Sequence, residues 1–132
     1  MPATTTKAAL VTGAAKRIGA EIVRQLHKEN FNLVIHYHHS AADALALVDE
    51  LNNTRTSSAI AIKADLNNHD QLIALAEQAS KQWQGIHLLV NNASSFYPTP
   101  FGQASYDDWD DLIGSNLKAP YFLAQALARA GG

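Results

Sequence analysis

The chain has 132 residues, of which 47% are hydrophobic and 17% are charged, and this composition is typical of one globular domain. Its net charge of -2 does not favour a nucleic-acid partner, and the absence of cysteine excludes a disulfide framework and a thiolate site. No apolar run reaches the ~18 residues of a membrane span and no signal-peptide pattern is present, so we expect a cytoplasmic protein without a membrane partner.

Short apolar runs alternate along the chain with longer segments of helical periodicity. The predicted elements are, in chain order, a strand over 8–11, a helix over 16–28, a strand over 32–36, a helix that begins after Ser40, a strand over 59–62, a helix that begins after Asn68, a strand over 86–90 and a helical region over 106–130. Because parallel strands need crossover helices, this alternation predicts a parallel sheet. The expected fold is α/β, a Rossmann-like doubly wound sheet of four strands in a single domain over residues 1–132.

Apolar side chains at helical spacing predict the faces that the first three helices bury. These side chains are Ile18, Ile22 and Leu26 in the first helix, Leu45, Val48 and Leu51 in the second, and Leu72, Leu75, Ala79 and Trp83 in the third. Ser40 with Asp43 three residues later has the pattern of a capping box, and Asn68 is expected to cap the third helix.

The link between the first strand and the first helix contains two glycines, Gly13 and Gly19. A turn of this kind lets backbone amides approach a phosphate, and the helix N-terminus adds partial positive charge. The spacing is neither strict Gly-x-Gly-x-x-Gly nor that of a P-loop, since Ala20 rather than lysine follows Gly19. Taken alone, the turn is either a phosphate site or ordinary strand–helix punctuation.

The second strand ends in His36-Tyr-His-His-Ser40, a run without a carboxylate. Sites for NAD often place Asp or Glu in this region to hold the ribose hydroxyls, so the absence of a carboxylate favours NADP. A metal site is a rival interpretation, but strand alternation puts His36 and His38 on one face and His39 on the other, so we predict no metal. A polar strand end in water is a further alternative.

Polar residues also follow the third and fourth strands. Asp65 is placed to accept a hydrogen bond from an adenine amino group, although aspartate is also common in turns at strand ends. Asn91-Asn-Ala-Ser-Ser-Phe96 follows the fourth strand. Because open parallel sheets bind ligands at the C-terminal ends of their strands, the four loops together predict a nucleotide site.

A set of motif residues makes the chain resemble the short-chain dehydrogenase/reductase family from about Ala8 to Ala130. The set comprises Thr12, Gly13, Gly19, Asp65, Asn91, Asn92, Ala93 and Asn116. Arg17 stands where the family pattern has another glycine. That arginine, the His36–Ser40 run and the loop after the fourth strand resemble the pteridine reductase branch of the family.

This resemblance implies an NADP(H) cofactor and a pterin-like substrate. It assigns Gly13, Arg17, Ile18 and Gly19 to the pyrophosphate, His36, Tyr37, His38, His39 and Ser40 to the adenosine phosphate, Asp65 and Leu66 to the adenine, and Asn92, Ala93 and Ser94 to the ribose and nicotinamide. It further implies that Phe96 stacks on the pterin ring while Ser94 and Arg17 bond the polar edge of that ring. The alternative for Phe96 is a core aromatic. His39 stands where this branch often has arginine, which makes phosphate affinity more dependent on pH.

The catalytic Tyr-x-x-x-Lys pair of the family has no match here, since none of the four tyrosines has lysine four residues later. Of the catalytic set that the resemblance implies, only Asn116 is present, and the last three strands of a full reductase are absent from these 132 residues. The resemblance implies an NADPH-dependent reductase of dihydropterin or dihydrofolate-type substrates, assembled as a homo-oligomer (a tetramer), with this chain alone inactive. Another short-chain carbonyl reductase and a non-catalytic dinucleotide-binding module are the alternatives.

Overall fold

Four parallel strands form the centre of the fold, and helices cover both faces of the sheet. The computed structural model describes residues 6–93, 105–107 and 118–131 of the chain. The strands are β1 (Ala8–Val11), β2 (Asn32–Tyr37), β3 (Ala59–Lys63) and β4 (Leu88–Val90). The helices are α1 (Arg17–Lys28), α2 (Ala41–Thr54), α3 (His69–Ser80) and α4 (Ala119–Gly131).

The strands lie in the order β3-β2-β1-β4, and each neighbouring pair is parallel. In this register Leu10 of β1 lies opposite Val34 on one side and Leu89 on the other. The predicted α/β class and the doubly wound parallel sheet of four strands are therefore confirmed. The strand order reverses between β1 and β4, and this switch point is where open α/β sheets bind ligands.

Alternate side chains of the strands belong to two separate cores. The core on the side of α1 and α2 contains Ala9, Val11, Leu33 and Ile35, and the core on the side of α3 and α4 contains Leu10, Val34 and Ile62. Because both faces are covered, β1 is buried along its whole length, as expected of a strand inside a parallel sheet.

Two of the predicted helix faces differ from the observed ones. Ile18 is 71% exposed, because α1 turns its small residues Gly19 and Ala20 toward the sheet and so approaches the loop after β1 closely. Leu45 is 56% exposed, because α2 packs instead through Ala44, Leu47 and Leu51. The face predicted for α3 is confirmed at Leu72, Leu75 and Ala79, all of which are buried.

The two predicted helix caps have different outcomes. Asn68 caps α3 as predicted, since its side chain accepts a hydrogen bond from the amide of Gln71 at 3.1 Å. The capping box at Ser40 is wrong, because Ser40 makes no side-chain hydrogen bond at the start of α2. Asp43, its expected partner in the box, instead forms an ion pair with Lys16.

Element boundaries also differ from the predicted ones near β4. The helix α3 ends at Ser80, so Trp83 is not part of its face, and the indole of Trp83 donates a hydrogen bond to the carbonyl of Ser57 (3.1 Å). The strand β4 begins at Leu88, two residues later than predicted. The helix α4 begins at Ala119, and most of the region predicted as helical before it lies outside the described residues.

Buried polar residues connect the C-terminal parts of α1 and α2 to the residue before β3, at the N-terminal edge of the sheet. The Nε2 atom of His27 lies 2.7 Å from the hydroxyl of Ser58, and Asn52 accepts a hydrogen bond from the amide of Ser58 at 2.9 Å. Burial lowers the pKa of His27, the Arg55 cation lowers it further, and Glu50 partly opposes both effects. This edge of the sheet therefore contains a neutral, buried histidine with a structural role.

Candidate functional site: the C-terminal edge of the sheet

The C-terminal ends of the four strands meet at one edge of the sheet, and the polar loops lie there. These loops are the turn from β1 to α1, the run after β2 that ends at Ser40, residues Ala64 and Asp65 after β3, and residues 91–93 after β4. Since β1 and β4 are neighbours, the loops that follow them lie side by side at the switch point of the sheet.

The two glycines of the first turn allow the loops after β1 and β4 to touch. Gly13 has φ +57°, and a Cβ atom on it would lie 2.9 Å from the Cα atom of Ala93. A Cβ atom on Gly19 would lie 2.5 Å from the carbonyl oxygen of Gly13 and 2.6 Å from the side-chain nitrogen of Asn92. Both positions therefore need glycine for close packing of the backbone.

Thr12 holds the loop after β4 in place, a role that the sequence reasoning missed. Its buried hydroxyl accepts hydrogen bonds from the backbone amides of Asn92 and Ala93, both at 3.0 Å. The side chain of Asn92 donates in turn to the carbonyl of Gly13 at 3.0 Å. The available signal was a threonine at the end of an apolar strand, where a hydroxyl must find partners inside the fold.

His36 lies inside the fold, and its expected role at the adenosine phosphate stays a prediction. Only 2% of its surface is exposed. Its Nδ1 atom accepts a hydrogen bond from the amide of Gly13 at 2.9 Å, and its Nε2 atom lies 2.8 Å from the carbonyl oxygen of Ala64. Both ring nitrogens therefore have partners within the chain.

The first two amides of the turn after β1 are bonded within the chain. The amide of Gly13 bonds the ring of His36, and the amide of Ala14 donates to the backbone carbonyl of His36 at 3.0 Å. The first amides of α1 have no partners within the helix, and Lys16 at its start provides no side-chain cap. The amides of Arg17, Ile18 and Gly19, which precede the first amide bonded within the helix at Ala20, are thus placed to bind an anion.

Arg17 has a backbone conformation that favours glycine. Its φ is +55°, in the left-handed region, and its side chain is exposed. An L-residue with a Cβ atom pays about 1–2 kcal/mol for this conformation, which explains why the family pattern has glycine here. The adjacent Lys16 forms an ion pair of 3.4 Å with Asp43, so the first carboxylate after the β2 end is neutralised by a cation from the turn.

The end of β2 presents histidines at the surface. The rings of His38 and His39 lie with their centroids 3.8 Å apart and their planes inclined by 34°. His39 is exposed, and the neighbouring Tyr37 and Ser40 are partly exposed. His36 does not join them, since it is buried. In the part of the chain that the structure describes, no group of three or more His, Asp or Glu side chains could hold a metal ion.

Asp65 takes part in the turn between β3 and α3. Its carboxylate accepts a hydrogen bond from the amide of Asn67 at 2.9 Å, and its own amide donates to the side-chain oxygen of Gln71 at 2.8 Å. Leu66 is partly buried against the core beside α3. One carboxylate oxygen of Asp65 therefore stabilises the turn, as the alternative interpretation predicts. The contact of Asp65 with adenine stays a prediction.

Three predicted site residues, Ser94, Phe96 and Asn116, lie outside the described residues. Their contacts with nicotinamide and pterin stay predictions. Over residues 6–93, 105–107 and 118–131, no helix combines the length and the apolar character needed to cross a membrane.

A parallel α/β sheet with a glycine turn at its switch point is the architecture of dinucleotide-binding domains. The sequence matches the short chain dehydrogenase family over residues 7–130. The chain therefore belongs to the short chain dehydrogenase family.

The chain is also similar to individual proteins. The chain is 41% identical to Pteridine reductase 1 of Leishmania tarentolae over 156 aligned positions, which cover 95% of this chain and 54% of that protein. It is 34% identical to the 3-oxoacyl-(acyl-carrier-protein) reductase FabG of Staphylococcus aureus (strain Mu50 / ATCC 700699) over 116 positions, covering 88% and 47%. It is 33% identical to the hydroxynaphthalene reductase-like protein Arp2 of Metarhizium brunneum over 119 positions, covering 90% and 44%. The chain spans about half the length of these relatives, and the resemblance to the family and to its pteridine reductase branch is confirmed.

Proposed function

We propose that this chain is the NADP(H)-binding region of a pteridine reductase, an enzyme that reduces dihydropterin or dihydrofolate-type substrates by hydride transfer. The observation that carries the proposal is Arg17, whose backbone adopts the left-handed conformation at the glycine turn. Strained backbone of this kind is concentrated at ligand sites, where a side chain is needed despite its cost. An exposed guanidinium at the start of α1, where the first backbone amides have no partners within the helix, suits an anionic cofactor and the polar edge of a pterin.

The residues at the sheet edge fit the parts of NADP(H), which would supply the hydride when bound. The proposed contacts are Arg17, Ile18 and Gly19 with the pyrophosphate, Tyr37, His38, His39 and Ser40 with the 2'-phosphate, Asp65 and Leu66 with the adenine, and Asn92, Ala93 and Ser94 with the ribose and nicotinamide. Gly13 and His36, which the resemblance also assigns to the phosphates, bond each other inside the turn and shape it. Thr12 orients the loop that would lie along the nicotinamide.

Substrate binding and catalysis are proposed at residues that continue this surface. Phe96 would stack on the pterin ring, while Arg17 and Ser94 would bond its edge, and Asn116 belongs to the proposed catalytic set. The chain has no Tyr-x-x-x-Lys pair to donate a proton. Its own residues therefore bind and orient the reactants, and we propose that the 132 residues alone do not turn over substrate.

The assembly and location of the protein are also proposals. The resemblance to the family supports a homo-oligomer of tetrameric type in the cytoplasm, with residues 1–132 as one NADP-binding domain. Light scattering of the purified protein, which gives its molar mass in solution, tests the assembly.

A carbonyl reductase is the second candidate, because the chain is 34% identical to a 3-oxoacyl reductase. NADPH oxidation by the full-length protein with dihydropterin and with 3-oxoacyl substrates separates these two functions. A non-catalytic dinucleotide-binding module is the third possibility, and the intact mass of the natural protein together with its downstream coding sequence distinguishes it.

Calorimetric titration with NADPH and with NADH tests the cofactor proposal. We expect tighter binding of NADPH, because the β2 end has no carboxylate to repel the 2'-phosphate. His39→Asp should abolish or reverse this preference by placing negative charge beside that phosphate. His87→Asp is the matched control, since it makes the same change near the start of β4, at the opposite edge of the sheet, where a carboxylate oxygen can replace Nδ1 of His87 as acceptor for the amide of Ala8. Tighter NADH binding by the unaltered chain would overturn the proposal.

A further inference from the structure

The side chain of His36 connects the two segments that flank the end of β2. The amide of Gly13, in the turn after β1, donates to Nδ1 at 2.9 Å. The carbonyl oxygen of Ala64, directly after β3, lies 2.8 Å from Nε2. Because β2 lies between β1 and β3 in the sheet, the ring connects the ends of three adjacent strands from inside the fold.

The partners of the two nitrogens determine where the ring carries its proton. A backbone amide can only donate a hydrogen bond and a carbonyl oxygen can only accept one. The Nδ1 atom must therefore present its lone pair to Gly13, and Nε2 must carry the hydrogen that bonds Ala64. His36 is then a neutral imidazole whose hydrogen-bonding capacity is fully used.

We propose that neutral His36 is a positioning residue that holds the turn after β1 in the conformation that binds the cofactor, and that the turn loosens when the ring gains a second proton. A proton on Nδ1 would face the N–H group of Gly13, so that two donors would meet where one hydrogen bond now stands. The part of this inference that concerns the cofactor rests on the proposed function.

The surroundings of the ring favour its neutral form. Burial lowers the pKa of His36, the hydrogen bond to Ala64 partly opposes this, and the nearby His38 lowers the pKa again. The other charged residues beside the ring's partners are Lys16 and Arg17 in the turn after β1, and Lys63 and Asp65 on either side of Ala64. The amide of Ala14 bonds the backbone of His36, and that bond does not depend on the state of the ring.

Nitrogen NMR of the histidine ring tests the positioning role without any cofactor. We expect a neutral ring with its proton on Nε2 at neutral pH, which gains its second proton only below the ordinary histidine pKa of about 6.5. On further acidification the amide signal of Gly13 should shift together with the ring signals of His36. A ring with its proton on Nδ1 at neutral pH, or a Gly13 amide that does not follow the ring, would overturn the proposal.

Two substitutions separate the two hydrogen bonds of the ring. His36→Asn keeps an oxygen near the place of Nδ1 and can still accept from Gly13, whereas His36→Gln keeps a donor near the place of Nε2 and loses that acceptor. His27→Asn is the control, since it replaces another buried histidine at the far edge of the sheet. Circular dichroism establishes that each variant is folded under the conditions of the titration.

Calorimetry with NADPH and NADH at about pH 7.5 and about pH 5.5 gives the functional result. NADH is included because it lacks the 2'-phosphate, so its binding reports on the turn after β1 without a contribution from the 2'-phosphate. We expect His36→Gln to bind both nucleotides roughly tenfold more weakly, as for a buried amide left without a partner, and His36→Asn and His27→Asn to bind within about threefold of the original chain. Acid should weaken NADH binding by the original chain and not by His36→Asn.

Each outcome of the titration decides between the two proposals. A folded His36→Gln variant that binds like the original chain, or an acid response of NADH binding that persists in His36→Asn, would overturn the positioning role. If the original chain binds neither nucleotide, the proposed function fails, while the NMR coupling of His36 to Gly13 still decides whether the ring positions the turn.

Discussion

Arg17 combines a strained backbone with an exposed cation, and substitution can separate the two properties. Arg17→Gly should raise the free energy of unfolding by about 1 kcal/mol, because glycine adopts a φ of +55° without strain. The same change should weaken NADPH binding by ~1–3 kcal/mol through loss of a charged hydrogen bond. Urea denaturation measures the first effect and calorimetry the second.

Arg17→Ala is the matched control, because it removes the guanidinium and keeps the strain. We expect it to weaken NADPH binding as Arg17→Gly does, without the gain in stability. If Arg17→Gly changes neither the free energy of unfolding nor the affinity for NADPH, Arg17 is an ordinary surface residue and the pteridine reductase proposal loses its main support.

Residue types at the sheet edge could be predicted from the sequence, but the direction of each donor could not. Strand alternation correctly separates His36 from His39 but does not distinguish buried His36 from partly exposed His38, because the turn after the neighbouring strand β1 bonds the ring of His36. The hydroxyl of Thr12 was missed for a similar reason. The two amides that it accepts from, those of Asn92 and Ala93, lie about eighty positions further along the chain.

At the level of elements, one hydroxyl group accepts two of the hydrogen bonds that join the ends of β1 and β4. Thr12→Val keeps the shape of the side chain and leaves the amides of Asn92 and Ala93 without their acceptor. We expect the free energy of unfolding to fall by ~1–3 kcal/mol, which is the usual cost of buried donors without partners. Chemical denaturation measures the fall.

Thr12→Ser is the control for this change, since it keeps the hydroxyl and removes only a methyl group. It should restore most of the lost stability. Equal losses in Thr12→Val and Thr12→Ser would show that packing of the methyl group, and not the hydrogen bonds to the loop after β4, connects the two strand ends.

The order and type of the elements follow from local patterns, whereas the rotation of a helix depends on distant partners. The spacing of Leu72, Leu75 and Ala79 was enough to predict the buried face of α3. The face of α1 was mispredicted at Ile18 because Gly19 packs against Asn92, and no pattern within α1 contains that contact. A helix whose partners are all nearby in sequence is predicted well, and one that packs against a loop from the other half of the sheet is not.

For the molecule as a whole, two buried histidines make stability depend on pH. Burial lowers the pKa values of His27 and His36, so the folded protein binds fewer protons than the unfolded chain as the pH falls through the ordinary histidine pKa of about 6.5. The free energy of unfolding should therefore be highest above that pH and fall below it, by up to about 1.4 kcal/mol per pH unit for each histidine. Urea denaturation between about pH 8 and pH 5 measures the slope.

The double variant His27→Gln, His36→Asn serves as the control for this pH dependence. It should be less stable at neutral pH, because buried hydrogen bonds are altered, and its stability should change less between neutral and mildly acidic pH. A slope that is unchanged in the double variant would assign the acid sensitivity to other groups.

The absence of a Tyr-x-x-x-Lys pair leads to a prediction for the 132-residue chain taken alone. A preparation of verified mass at 132 residues should bind NADPH without oxidising it in the presence of dihydropterin. Loss of a general acid alone costs about 100- to 10,000-fold in rate. NADPH absorbance measures the reaction, and turnover at a rate typical of a reductase would contradict the mechanism implied by the family.

The central position of β1 has a consequence for the order in which the sheet assembles. Gly13 and its partner His36 are 23 positions apart in the sequence, whereas Ala8 and its partner His87, just before β4, are 79 positions apart. Closing the longer loop costs about 1 kcal/mol more in chain entropy, so β1 pairs with β2 first and with β4 later. On the ribosome, one edge of β1 therefore keeps its amides and carbonyls unpaired while α2, β3 and α3 are still being translated. During that interval the nascent chain exposes an apolar strand edge to any other chain that can pair with it.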